Sequence, residues 1–404
     1  MRALYTILLR LALPLVLARL WWRGRAEPAY RDDWDQRLGH YSGSFPDSCI
    51  WFHAVSVGEA RAAEPLIRAL GRVLPDHRIL VTCTTAAGRE TIKQVYGESV
   101  DTVWLPYDFP ESAQAFLEHF RPRLGVLVET ELWPNLIAQC VANRVPLLLA
   151  SARMSEKSAR GYRRLASLTR PAFEALGAVC AQSAADAGRI SSLGARAVEV
   201  AGNLKFDVTL GAAQLAAGRA WRRSLGRPVV LLASSRDGEE AHFVRDLGEA
   251  LLLIVPRHAR RFDEVAALAQ SRRTLQPHPG RGDRVHLGDT MGEMAFYYGA
   301  CDVAIIGGSF APLGGQNLIE ALAAGVPVVL GPHMFNFAEP TRLALEAGAA
   351  VQVADARAAV QLATELLGDE KRRQAMGEAG KALCEVHRGA TERHLAACRR
   401  LLGL

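Results

Sequence analysis

The sequence has no C-x-x-C pair. Its cysteines, Cys49, Cys83, Cys140, Cys180, Cys301, Cys384 and Cys398, are scattered and odd in number. Neither a zinc site nor a disulfide framework is indicated, and a reducing compartment fits. Aromatics make up 7%, and 35 Gly and 19 Pro in 404 residues are too few for a fibrous or low-complexity chain. No repeat of solenoid period is visible. No G-x-G-x-x-G follows the first strand of either half, which argues against a nicotinamide enzyme, and no G-K-[ST] marks a P-loop. No D-x-D stands at a strand end. Only one apolar stretch approaches spanning length, so the chain is not polytopic.

The residues present are half hydrophobic and 22% charged, enough for two sizeable cores, and the length suggests two domains. The net charge is 48 − 42 = +6. Residues 1–31 carry Arg2, Arg10, Arg19, Arg23, Arg25 and Arg31 against Glu27 alone, so they supply +5 of it. The body is nearly neutral, and the isoelectric point near 9.0 is no evidence for nucleic-acid binding.

Leu4 to Trp22 reads LYTILLRLALPLVLARLWW, strongly apolar but interrupted by Arg10, Pro14 and Arg19. No small-residue cleavage site follows, so it reads as an uncleaved anchor rather than a signal peptide. Two arrangements are open. One is a single span with Trp21 and Trp22 at the interface and Arg23 and Arg25 in the cytoplasm. The other is a helix lying in the headgroup layer with snorkelling arginines. Arg10 in mid-span would cost about 2.5–3.5 kcal/mol, which tilts the reading to the shallow helix. Either arrangement leaves the body in the cytosol.

From Cys49 onward, apolar runs alternate with helix-like segments: CIWFHAV, RILVTCTT, TVWLPYD, RLGVLVET, VPLLLASA and LGAVCAQS, then RPVVLLASS, LLLIVPRH, DRVHLGD, DVAIIGGS, VPVVLG and AAVQVAD. Continuous apolar strands between amphipathic helices predict parallel sheets covered on both faces. The Ala-rich stretch after NLKFD predicts a boundary. The organisation expected is an anchor over residues 1–30, a Rossmann-like domain over 31–210 and a second over 211–404, with a ligand cleft between them.

Ligands of such sheets bind beyond the carboxyl ends of the strands, so the residues there carry most weight. Glu59 of SVGE opens a helix after the first strand. It is either a dipole-complementing acid, worth about 0.3–1 kcal/mol, or a general base. Glu129 and Glu131 of VETELWPNL alternate, and in an extended segment would share a face; solvent-facing acids are the plainer reading. Lys205 of NLKFD reads alone as a solvated lysine. In the second half, Ser234, Ser235 and Gly238 form a candidate anion-binding turn. Arg257 and His258 follow a buried strand, Arg257 being a candidate phosphate ligand or one of several surface arginines. Thr290-x-x-Glu293 has the capping-box pattern. Gly307, Gly308, Gly314 and Gly315 sit between strand and helix, where backbone amides could approach a phosphate. Asn317 and Glu320 are three apart on the following helix, and Glu320 suits paired ribose hydroxyls.

HAVSVGE, VETELWPNL, GNLKFD, GDTMGE and GGQNLIEALAAGVPVVLGPHMFNF together resemble the 3-deoxy-D-manno-octulosonic acid (Kdo) transferases of lipopolysaccharide synthesis, over nearly the whole chain including the N-terminal stretch. The resemblance implies the α/β GT-B fold: two Rossmann-like domains with a central cleft, behind a membrane-anchoring helix. It implies metal-independent, inverting transfer of Kdo from CMP-Kdo to the lipid A precursor lipid IVA at the cytoplasmic face of the bacterial inner membrane, with no cofactor beyond the donor. By this resemblance Glu59 is the proton acceptor, and Glu129 and Lys205 stabilise the transition state. Pro256, Arg257, Met291, Gly292, Glu293, Asn317, Leu318, Ile319 and Glu320 contact CMP. The expected partners are CMP-Kdo, the lipid A precursor and inner-membrane phospholipid. One departure is that the helix EEAHFVRDLGEA runs into LLLIVPRH without a turn, a short spacing for the family. Competing readings are a GT-B enzyme or epimerase acting on a UDP-sugar, and a membrane-tethered scaffold without activity.

Overall fold

The computed structural model describes residues 1–43, 45, 48–208, 210–245 and 247–404. It divides into two compact units, Met1–Asp207 with Gly389–Leu404, and Val208–Arg388.

The first unit is built on strands β1 (Cys49–His53), β2 (Arg78–Cys83), β3 (Asp101–Trp104), β4 (Pro122–Val128), β5 (Leu147–Ala152), β6 (Ala178–Ala181) and β7 (Val198–Val200). Their order is β3-β2-β1-β4-β5-β6-β7, and every pairing is parallel. Burial on both faces explains the unbroken apolar runs. In β1, Ile50 and Phe52 enter one core layer and Cys49 and Trp51 the opposite one, the two-residue alternation of a strand.

The second unit repeats the plan with β8 (Val229–Ser235), β9 (Leu251–Pro256), β10 (Ser271–Arg272), β11 (Val285–Leu287), β12 (Val303–Ile306), β13 (Val328–Leu330) and β14 (Ala350–Gln352). The order is β10-β11-β9-β8-β12-β13-β14, again all parallel. In each unit the chain reverses its direction of travel beside the first strand. The switch points lie between β1 and β4 and between β8 and β12. Ligands of open parallel sheets bind beyond the carboxyl ends at such points.

Two features differ from the pattern read in the sequence. The last helix, Ala390–Leu402, belongs to the first unit rather than to a second domain ending at residue 404. Asp207 explains its return, since its carboxylate accepts from the N–H groups of Gly389 at 3.0 Å and Thr391 at 2.7 Å. Inside that helix His394 is fully buried; Ser151 N–H donates to its Nε2 at 2.8 Å, so Nδ1 carries the proton and donates to Ala390 O at 2.7 Å. The second feature is the helix expected over EEAHFVRDLGEA. It is a single turn, Glu240–Phe243, and Gly248 at φ +65° turns the chain into β9. Asp246 of that segment lies outside the described residues.

Candidate functional site

Both strands flanking the first switch point deliver a carboxylate. After β1 the chain turns through Ser56 into the helix Val57–Ala62. Val55 N–H donates to Glu59 Oε2 at 2.6 Å and the Ser56 hydroxyl to Oε1 at 2.9 Å, while Glu59 N–H reaches back to Ser56 Oγ. This is a close relative of the capping box, with the amide before the cap residue as the donor. Glu59 therefore does hold the helix start. Capping does not exhaust its chemistry, because burial, and then the charge of Glu129, push its carboxyl up to about 7 against the pull of these hydrogen bonds and of Lys205.

Glu129 follows β4 with φ +65°, so the segment is not extended there and the expected face-sharing with Glu131 does not arise from strand alternation. Glu129 N–H donates to Ala150 O, and the side chain meets Lys205 Nζ at 2.6 Å with both groups largely shielded. Lys205 is not solvated. It stands on a 3-10 turn, Leu204–Phe206, whose start is capped by the fully buried Asn203. Glu131 is also raised to about 7, by burial and by the charges of Glu59 and Glu129. Three carboxylates and one ammonium thus form one coupled cluster. Trp133 closes the segment, and Pro134 occupies the first position of the next helix, where a missing N–H costs nothing.

In the second unit a cavity of about 350 Å³ opens beyond the carboxyl ends of β8 and β9. Of the nine expected nucleotide residues, Pro256, Arg257, Met291, Gly292 and Glu320 line it, together with Ser234 and Thr290. Burial raises the Glu320 carboxyl, while Asn317 and Arg257 act against the rise. Asn317 Nδ2 donates to Glu320 Oε1 at 3.0 Å, and Asn317 Oδ1 accepts from Ile319 N–H. Asn317 thus precedes the helix Ile319–Ala324 and orients the carboxylate. Leu318 and Ile319 side chains are buried, the Ile319 N–H is spent on Asn317 and the Leu318 carbonyl on Leu322 N–H, so the pair holds the helix start behind Glu320. Glu293 does not line the cavity. Arg273 Nε donates to it at 3.1 Å and the Thr290 hydroxyl also donates, while the helix starts one residue later, at Met294. The Thr290–Glu293 pair is therefore a loop contact just ahead of the helix. His258 is held below its ordinary value by burial, then by Arg236, Arg257 and Arg260, which marks this rim as positively charged.

The anion-binding turn expected around Ser234 to Gly238 is already filled. Glu239 accepts from Arg236 N–H at 2.7 Å and from Gly308 N–H at 2.7 Å. Ser235 donates to Glu240, which forms a buried pair with Arg261. Gly308, at φ +66°, thus spends its amide on Glu239, and Gly315 N–H donates to Gly308 O. The glycines let the loop close on itself and on the Met334 side chain rather than expose amides to a phosphate. Glu239, which burial raises to about 7, went unread in the sequence because two adjacent acids at a helix start look like ordinary dipole partners. Among the described residues no group of three His, Cys, Asp or Glu side chains is placed to hold a metal ion.

Residues 32–208 match the family described as 3-Deoxy-D-manno-octulosonic-acid transferase (kdotransferase), and residues 280–383 match the glycosyl transferases group 1. A 3-deoxy-D-manno-octulosonic acid transferase of Bordetella pertussis is 45% identical, covering 100% of both chains. That of Haemophilus influenzae is 34% identical, over 98% of this chain and 97% of its own. Among solved structures, MurG of Acinetobacter baumannii aligns over 87% of this chain and 99% of its own with a TM-score of 0.54 at 12% identity, a likeness of fold. Two seven-stranded parallel sheets, the GT-B class of fold and full-length similarity agree: this chain is a glycosyltransferase belonging to the 3-deoxy-D-manno-octulosonic acid transferase family.

Proposed function

We propose that the chain transfers Kdo from CMP-Kdo to a hydroxyl of the lipid A precursor lipid IVA, with inversion and without a metal or further cofactor, at the cytoplasmic face of the bacterial inner membrane. The observation that carries this reading is the coupled cluster at the β1/β4 switch point, where Glu59 holds its proton near neutrality. A base poised near the working pH is the efficient one. Glu59 takes the proton of the acceptor hydroxyl; the oxygen attacks the anomeric carbon of Kdo, and the bond to the CMP phosphate breaks. The Glu129–Lys205 pair sets the proton affinity of Glu59, since Glu129 raises it and Lys205 lowers it. Through this balance both residues influence the transition state.

Charge gathers on the departing phosphate. Arg257, beside the cavity and within the positive rim, would meet it with preorganised hydrogen bonds. Glu320, held by Asn317, would accept from ribose hydroxyls. Pro256, Met291 and Gly292 shape the wall, Leu318 and Ile319 fix the helix start that carries Glu320, and Glu293 acts through the loop it ties to Arg273. The test is incubation of the full chain with CMP-Kdo and tetraacylated lipid A precursor, with product mass counted. An increment of whole Kdo units supports the reading. Turnover with a UDP-sugar and none with CMP-Kdo overturns it.

A further inference from the structure

The helix Arg2–Ala26 is long and apolar enough to cross a membrane by length and composition. Its contacts within the first unit fall toward both ends. Tyr5 OH donates to Asp108 Oδ2 at 3.0 Å. Asn135 Nδ2 donates to Thr6 Oγ1 at 2.9 Å. Arg10 pairs with Glu111 at 2.9 Å. At the other end Leu20 packs on the core and the Arg23 guanidinium lies 4.5 Å from the Tyr30 ring centroid. Thr6 and Gly24 are buried and Leu9, Leu13, Leu17 and Leu20 half-buried, a stripe at helical spacing. On the opposite side Leu4, Leu8, Leu11, Leu15 and Trp22 form a second stripe, 49–75% exposed.

We infer that this helix lies in the plane of the membrane surface, one side docked on the first unit and the Leu4–Leu8–Leu11–Leu15–Trp22 side in lipid. The inference rests on the membrane association proposed above. A span with Arg23 and Arg25 in the cytoplasm would carry Tyr5 and Thr6 to the far side of about 30 Å of hydrocarbon and leave Arg10 inside it, away from Asp108, Asn135 and Glu111. All three contacts would be lost. The occupant of the free stripe is an anionic bilayer, because six arginines against one acid in residues 1–31 attract lipid phosphates. The Arg25 and Arg31 guanidiniums stand 4.5 and 5.0 Å from the Trp21 ring centroid, an arrangement suited to the headgroup layer. Two apolar sides, one for protein and one for lipid, also account for leucines on opposite sides of one helix.

The test places nitroxide labels on the full chain through Leu4→Cys, Leu8→Cys, Leu11→Cys and Leu15→Cys, one at a time. The seven native cysteines are buried. Label depth is read by oxygen against nickel-chelate relaxation in vesicles of phosphatidylethanolamine and phosphatidylglycerol. All four labels at one shallow depth, within a few ångströms, is the expected result. Leu4 to Leu15 spans about 16 Å of helix axis. A depth that changes by most of that distance would overturn the in-plane placement and leave membrane association standing. Four labels open to the nickel chelate and shielded from oxygen-rich lipid would overturn both.

Discussion

Lys205 Nζ lies 2.6 Å from Glu129 Oε1, although 76 residues separate them in the chain. The β4 end and the turn after β7 are thereby joined beside Glu59. An ammonium and a carboxylate with opposite effects on the same neighbour act as a setting for its proton affinity.

The acid limb of the kcat/KM profile should therefore move in opposite directions in two variants. Lys205→Met removes a charge that lowers the Glu59 carboxyl, so the limb should shift to higher pH. Glu129→Gln removes a charge that raises it, so the limb should shift to lower pH. Rate–pH profiles of both enzymes check this, and shifts of the same sign would show that the pair does not act on Glu59.

In the unaltered enzyme that limb should have its midpoint near 7, because the base works only when ionised. Glu59 and Glu131 are close enough to titrate together, so the midpoint belongs to the pair. Glu131→Gln should leave a single limb in an enzyme that still turns over. A limb remaining near the ordinary carboxylate value of about 4.3 would remove the pair from the mechanism.

Arg257→Ala should weaken CMP binding by roughly 10- to 150-fold, the loss of a charge-assisted contact worth about 1.5–3 kcal/mol. Glu320→Gln should weaken CMP binding more than acceptor binding. Calorimetric titration with CMP reads both; unchanged affinity in each would place the nucleotide outside the β8/β9 cavity.

His394 should make stability fall on acidification. Burial holds its folded value down at about 4, against about 6.5 when unfolded. A depressed group contributes fully above its unfolded value, and that contribution is lost as pH falls from about 6.5 through 4. Melting curves from pH 7.5 to 4.5 should show a steeper fall for wild type than for His394→Gln. Parallel curves would mean that His394 is not kept neutral.

The strands were legible because parallel strands buried on both faces must be unbroken apolar runs. Twelve such runs all fall on strands, while the three-residue β7 and the two-residue β10 carry too little pattern to read. Glu59, Glu129 and Lys205 could be singled out by their places after strands and by resemblance. Their pairing was not legible, since it depends on the left-handed turn at Glu129 and on a contact across 76 residues. The return of Ala390–Leu402 to the first unit was hidden for a similar reason. The segment reads as an ordinary amphipathic helix, and its partners Ser151 and Asp207 lie far upstream. The glycine-rich loop misled in the opposite sense: its pattern suits a phosphate, but Glu239 takes the amide that would bind one.

The most direct test of the account is turnover of Glu59→Gln with CMP-Kdo and acceptor both saturating, measured beside its melting temperature and CMP affinity. The glutamine keeps the shape and, through its one oxygen, the hydrogen bond from Val55 N–H, while its amide nitrogen faces the Ser56 hydroxyl as a donor; it cannot accept a proton. The account predicts a fall in turnover of about 10²–10⁴-fold, with CMP affinity unchanged and stability altered by no more than about 1 kcal/mol. Near-wild-type turnover would contradict the general-base assignment, and a large loss of stability with proportionate loss of activity would reduce Glu59 to its role at the helix start.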